Sequence, residues 1–171
     1  MTDYELEYRK GRGVCGEPFP EFVAFFAEYP GRNSTVLDLG CGQGRDALFI
    51  ARLGHHVRGI DVSETGIAQM LDDAKAEGLA VQGQVADVTD YTPESSFDVV
   101  IIDRVLHMLK QPEQRDSLLA KARHHTNPDG YILVADVPSN RELIVGAFRE
   151  APKWEVVDST KNFTFAHHVG E

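Results

Sequence analysis

The sequence predicts an α/β domain built on a mostly parallel, doubly wound sheet with helices on both faces. Three observations carry that expectation. An apolar strand, Val36–Leu39, runs straight into the alternating glycines Gly40, Gly42 and Gly44, and a helix of apolar spacing follows. Strand-like and helix-like runs then alternate along the chain. Acidic residues recur where the strands end, at Asp38, Asp61, Asp87 and Asp103.

Each element has its own signal. Phe22, Val23, Phe25 and Phe26 mark an amphipathic helix within 19–30 that docks on the domain. Arg45 to Leu53 carries Ala47, Leu48, Ile50, Ala51 and Leu53 at helical spacing, and Gly54 stops it. Val57–Ile60 is a short strand that ends at Asp61. Ser63 caps a helix from Glu64 to Glu77, which Gly78 ends. Val81–Val85 is a third strand, and Phe97–Ile102 is a nearly continuous apolar run, hence a central strand. Pro112 opens a helix that runs to about His125. Asn127-Pro128-Asp129-Gly130 reads as a turn before a fifth strand, Tyr131–Ala135. A helix, Arg141 to Glu150, precedes strands Trp154–Ser159 and Phe163–Val169, which have no helix between them and form an antiparallel pair at one edge. Trp154 and the phenylalanines are expected in the core.

Composition narrows the function. A chain of 171 residues with 42% hydrophobic and 26% charged residues fits one soluble globular domain over 1–171. A net charge of −10 disfavours a nucleic-acid backbone or an anionic membrane as partner. Met1 to Lys10 is polar and unlike a signal peptide, and no stretch has the length of a membrane span, so a cytoplasmic protein is expected. The two cysteines, Cys15 and Cys41, do not make a disulfide framework or a metal-ligand spacing. His55-His56, His124-His125 and His167-His168 invite a metal reading, but adjacent side chains diverge and no metal site is expected.

The glycine spacing and the acids point to a nucleoside cofactor. The dinucleotide fingerprint needs a third glycine where Arg45 stands here. Ligands of open α/β sheets bind outside the carboxyl ends of the strands, where Asp38, Asp61, Asp87 and Asp103 would converge. A pyrophosphate is a poor guest beside these charges. A cofactor with a sulfonium, an amino group, a ribose diol and an adenine amine is a good one, and that describes S-adenosylmethionine.

Val36 to Met70 (VLDLGCGQGRDALFIARLGHHVRGIDVSETGIAQM) resembles the class I S-adenosylmethionine-dependent methyltransferases, in particular small single-domain enzymes typified by the tellurite-resistance and thiopurine methyltransferases. The resemblance implies a Rossmann-like, seven-stranded sheet in the order 3-2-1-4-5-7-6 with the last strand antiparallel, and it matches the tail of this chain. It also implies residue roles. The Gly40–Gly42 backbone, with Cys41 and with Gly44 in the same loop, would line the methionine and ribose, and Asp38 would organise the cofactor amino group, directly or through water. Asp61 would accept the ribose hydroxyls; Ala86, Asp87 and Val88 would serve the adenine; and Asp103 would face the methionine amino group. Ile60 and Val62 would sandwich the ring. Cys41 reads as packing as well.

The expected reaction is methyl transfer to a small-molecule acceptor through oxygen, nitrogen, sulfur or a metalloid. His107 is the candidate base if the acceptor arrives protonated. Arg12, Glu17, Arg45 and Arg104 are the candidate acceptor contacts, with Asp136 on a segment that reaches the same mouth. Residues 1–18, with Gly11, Gly13 and Gly16, read as a flexible lid. Strand four lacks the Asn/Asp-Pro-Pro-Tyr motif of nucleobase methyltransferases, so no nucleic-acid acceptor is expected. A monomer or homodimer is expected. The alternatives are a non-catalytic cofactor-binding module or partner subunit and a nicotinamide-dependent oxidoreductase.

Overall fold

The computed structural model of the chain describes residues 4–170. They belong to two compact units, Met1–Val88 and Thr89–Glu171, whose strands form one seven-stranded sheet in the order β3-β2-β1-β4-β5-β7-β6. The order expected from the family resemblance is the one found. Residues 1–3 of the expected lid, and Met1 to Asp3 of the polar N-terminus, lie outside the described residues.

The first unit contains α1 (Tyr4–Lys10), α2 (Pro20–Glu28), β1 (Thr35–Leu39), α3 (Arg45–Arg52), β2 (His56–Asp61), α4 (Glu64–Glu77) and β3 (Val81–Val85). β1–β2 and β2–β3 pair in parallel, and Asp38 lies opposite Gly59. α4 starts and stops where its punctuation dictates. Ser63 accepts the Gly66 N–H, and Gly78 ends the helix at φ 67°, the left-handed region that favours glycine. Phe22 and Phe26 of α2 are buried, whereas Val23, expected on the same docked face, is 41% exposed. At 100° per residue, Val23 falls beside the Phe22 stripe rather than on it.

Met70 of α4 is fully buried and threads between glycines. A Cβ on Gly44 would lie 2.3 Å from Met70 Cγ; on Gly59, 2.9 Å from its Cε; on Gly83, 3.0 Å from the same atom. Helix α4 thus seats closely on β2 and β3 at Gly59 and Gly83, where an added side chain would make Met70 shift, and on the loop at Gly44.

The second unit contains β4 (Phe97–Asp103), a 3₁₀ turn (Leu106–Met108), α5 (Pro112–His124), β5 (Thr126–Ala135), α6 (Arg141–Arg149), β6 (Trp154–Ser159) and β7 (Phe163–His168). β4 and β5 are parallel, and β7 is antiparallel to both β5 and β6. Val99, Val100, Ile101 and Ile102 are fully buried, as a strand covered on both faces requires. Asn127–Gly130 is not a separate turn before β5. It is a bulge inside a longer strand: Phe97 pairs with Thr126, Val99 pairs with Tyr131, and Asp129 takes φ 62°. Trp154 is half-buried rather than core, its ring stacked on His168 with centroids 4.9 Å apart.

Candidate active site

The glycine loop after β1 is held by the end of β2. The N–H groups of Gly40 and Cys41 both donate to the Ile60 carbonyl, at 2.7 and 3.1 Å. Asp61 then uses its two carboxylate oxygens on backbone: Oδ2 accepts the Gly42 N–H and Oδ1 the Ser63 N–H, each at 2.8 Å. One side chain therefore fixes both the loop and the start of α4. Burial raises the Asp61 carboxyl above its ordinary value, and the backbone donors oppose that shift. Gly40, Gly42 and Gly44 have φ of 82°, 53° and 81°, which L side chains rarely adopt.

The other expected cofactor residues of this unit have contrasting surroundings. Asp38 is 2% exposed and Cys41 8% exposed, and burial pushes the Cys41 thiol far up, consistent with packing. Val62 is 66% exposed, while Ile60, expected to share the adenine with it, is wholly buried and offers no face to a ligand. Strand alternation accounts for this: residues two apart share a face only while the strand continues, and β2 ends at Asp61. Ala86 is half-buried and its N–H donates to the Asp61 carbonyl at 2.9 Å, Asp87 is exposed, and Val88 is buried.

Helix α1 lies against this loop. Glu5 accepts hydrogen bonds from the Ser63 and Thr65 hydroxyls, which pull its carboxyl down to about 2. Tyr8 is buried, and a Cβ on Gly42 would come 2.3 Å from its hydroxyl. The sequence suggested only a ligand to explain Gly42; a side chain of the chain's own first helix explains it too. Gln43, also unanticipated, is the clasp for the segment that follows. Its Nε2 donates to the Gly11 carbonyl and to Gln69 Oε1, both at 2.6 Å, and its Oε1 accepts the Val14 N–H at 2.9 Å. No motif announces these roles; the i, i+4 spacing of Tyr4 and Tyr8 was the available hint.

Arg12, Glu17 and Arg45 line one cavity of about 160 Å³, together with Cys15, Gln43 and Asp73. Both of these arginines are already engaged. Arg45 forks onto Asp46 at 3.1 and 2.7 Å and lies 4.6 Å from the centre of the Phe19 ring, and Arg12 pairs with Asp73. The arginines therefore shape the cavity while holding residues 11–19 on α3 and α4.

In the second unit Asp103 ends β4, and Arg104 follows in the left-handed region at φ 53°, its Nε 3.5 Å from Asp103 Oδ1. Strain of this kind at a strand end is typical of functional positions. His107, in the 3₁₀ turn, has a side chain 32% exposed, with Nδ1 3.5 Å from Asp136 Oδ2. Asp136, expected among the acceptor contacts, is instead buried, its side chain excluded from solvent. Two of the histidine pairs meet different partners: His55 is buried and its Nδ1 accepts the Ser34 N–H at 3.2 Å, His167 stacks on Tyr131, and His168 stacks on Trp154. The His124 and His125 rings, expected to diverge, instead meet edge to face with centroids 4.9 Å apart. No group of three metal-ligating side chains occurs among the described residues.

A parallel sheet in this order, closed by an antiparallel pair and carrying a glycine loop locked by the acid at the end of β2, defines the class I methyltransferase fold. The profile of the methyltransferase domain family matches residues 36–130. TehB of Haemophilus influenzae, a probable S-adenosyl-L-methionine-dependent methyltransferase, is 32% identical over 108 residues, 63% of this chain and 37% of TehB. The phosphoethanolamine N-methyltransferase of Triticum aestivum is 34% identical over 138 residues, 78% of this chain and 26% of that protein. The chain thus spans well under half the length of these curated relatives. Among solved structures, the 1,6-didemethyltoxoflavin-N1-methyltransferase of Burkholderia thailandensis superposes with a TM-score of 0.76 at 22% identity, covering 98% of this chain and 86% of that one. TehB itself superposes with a TM-score of 0.73 at 21% identity, covering 98% of this chain and 67% of the other. The chain belongs to the methyltransferase domain family.

Proposed function

We propose that this chain transfers a methyl group from S-adenosylmethionine to a small-molecule acceptor. The observation that carries the reading is the bond from Gly42 N–H to Asp61 Oδ2, which sets a glycine loop and a carboxylate side by side at the ends of β1 and β2. A carboxylate has about four lone-pair sites, so Asp61 keeps capacity for a ribose diol beyond its two backbone donors. Exposed Val62 and Asp87 suit an adenine face and its amine, and the positive-φ glycines admit close backbone approach. The cofactor, when bound, would supply an electrophilic methyl on sulfonium.

What remains for the protein is binding, orientation and exclusion of water. Asp38, Gly40 and Asp103 are assigned to the methionine end, and Ala86, Asp87 and Val88 to the adenine end. Arg12, Glu17, Arg45 and Arg104 are assigned to the acceptor. A cavity of about 160 Å³ lined by the first three suits a small guest. Residues 1–18 are assigned as a lid and 19–30 as an N-terminal helix docked on the domain, and the bonds of Gln43 to Gly11 and Val14 support a closed position of 11–14. The names of the wheat and Burkholderia relatives, a phosphoethanolamine and a didemethyltoxoflavin methyltransferase, support an acceptor of that size. The net charge of −10 supports the absence of a nucleic-acid partner. The reading includes a cytoplasmic protein, monomeric or homodimeric; no described helix is long and apolar enough to cross a membrane.

The test is a screen of small hydroxyl, amine, thiol and metalloid acceptors with labelled S-adenosylmethionine. Acceptor-dependent release of S-adenosylhomocysteine supports the reading, and tight cofactor binding with no acceptor turned over contradicts it.

A further inference from the structure

Asp136 is a buried carboxylate, and among the described residues no lysine or arginine is paired with it. Its Oδ1 accepts the Val137 N–H and the Asn140 side-chain amide, both at 2.8 Å. Its Oδ2 faces His107, 3.3 Å from the backbone N and 3.5 Å from Nδ1. The main chain of Asp136 is pinned as well, since its N–H donates to the Asn162 carbonyl at 2.9 Å and its carbonyl accepts the Asn162 amide at 3.0 Å.

The orientation of Asn140 is fixed from behind. Arg115 Nη1 donates to Asn140 Oδ1 at 3.2 Å, which leaves the amide nitrogen to face Asp136. The same guanidinium donates twice to the Leu109 carbonyl, at 3.1 and 2.8 Å, just past the turn that carries His107. The histidine is therefore gripped through its own N–H and through the chain after it. A buried acceptor-only group opposite Nδ1 selects the ring tautomer with the proton on Nδ1. Nε2, across a ring that is 32% exposed, keeps its lone pair.

We infer that Asp136 is the positioning residue that holds His107 as a base through Nε2, with Asn140 and Arg115 holding Asp136. The inference deepens the proposed methyl transfer and rests on it. It narrows the acceptor to one that carries a proton on its reacting atom: a hydroxyl, a thiol or an ammonium, rather than an oxyanion that arrives deprotonated. The proton passes from the acceptor atom to Nε2. The electron pair that held it stays on that atom as the nucleophile, and the imidazolium returns the proton to water.

The experiment compares wild type with Asp136→Asn by long-range imidazole ¹H–¹⁵N correlation, with S-adenosylhomocysteine affinity as the control for folding. Wild-type His107 is expected with the proton on Nδ1 when neutral. In the variant, the amide oxygen is claimed by Val137 and Asn140, so the amide nitrogen faces His107 and drives the proton to Nε2. Turnover of a protic acceptor should then fall on the order of 10²-fold or more in kcat, with acceptor KM little changed. A wild-type ring already protonated on Nε2 when neutral overturns the inference. So does a tautomer switch that leaves kcat intact. Failure of the methyltransferase reading has a separate sign, loss of S-adenosylhomocysteine binding by the wild type, and the tautomer measurement stands without it.

Discussion

Replacing Asp61 by Asn changes one oxygen to an amide nitrogen at the point where the glycine loop meets the start of α4. The aspartate accepts Gly42 N–H and Ser63 N–H at 2.8 Å through different oxygens. Asparagine can keep only one of those bonds and must aim its amide nitrogen at the other N–H. The lost charge-assisted bond and the donor left facing a donor together cost about 1–3 kcal/mol. Part is returned, because burial already raises the Asp61 carboxyl and so opposes its charge. The net loss of stability should fall at the low end, about 1–2 kcal/mol. Cofactor binding should lose more consistently, since the ribose acceptor is weakened and the loop is no longer held. About 1–3 kcal/mol there is roughly a fivefold to 150-fold rise in Kd. Urea unfolding and calorimetry with S-adenosylhomocysteine read the two effects separately. A variant with wild-type stability and wild-type affinity would refute the claim that Asp61 joins loop and ligand.

Three other perturbations test the same frame. Gly44→Ala puts a Cβ 2.3 Å from Met70 Cγ at φ 81°, and should cost about 2–4 kcal/mol in urea unfolding, and less between Met70→Ala and the Gly44→Ala/Met70→Ala double variant, where the clash is relieved. Full cost on the Met70→Ala background would place the strain in the backbone alone. Glu5 has its carboxyl lowered from 4.5 to about 2, so its hold on Ser63 and Thr65 is complete above pH 4.5 and is lost as pH falls towards 2. Amide protection in α1, taken relative to the intrinsic exchange rate at each pH, should fall as pH drops through that window in wild type and be nearly flat there in Glu5→Gln. Gln43→Ala removes the bonds to Gly11, Val14 and Gln69, and limited proteolysis should then cut within 11–18 faster while the fold persists. An unchanged cutting rate would mean that the arginine contacts alone hold the segment.

Where local chemistry decides, the sequence was readable. Ser63 and Gly78 bracket α4 at Glu64 and Glu77, and the apolar run Phe97–Ile102 is a central strand. The acids at Asp38, Asp61 and Asp103 lie in the last two residues of their strands, as expected. The misreadings share a cause: contacts between residues far apart in the chain. Asn127–Gly130 looks like a free turn, yet pairing with β4 absorbs it as a bulge. Ile60 looks like an adenine contact, yet packing buries it completely. Tyr8, Gln43 and Asp136 carry no pattern of their own; each meets a partner far away in the chain, such as Val14 for Gln43 and His107 for Asp136, both 29 residues distant. Gly42 shows both sides, since its spacing is legible as a ligand loop and its contact with Tyr8 is not.

The central claim is that the glycine loop locked by Asp61 receives an adenosyl cofactor. Calorimetric titration of the purified chain with S-adenosylmethionine and S-adenosylhomocysteine, with NAD as control, tests it most directly. The account predicts saturable micromolar binding of both adenosyl compounds, abolished or strongly weakened by Asp61→Ala, and none of NAD. Binding of NAD in their place, or no binding of either adenosyl compound, would contradict it.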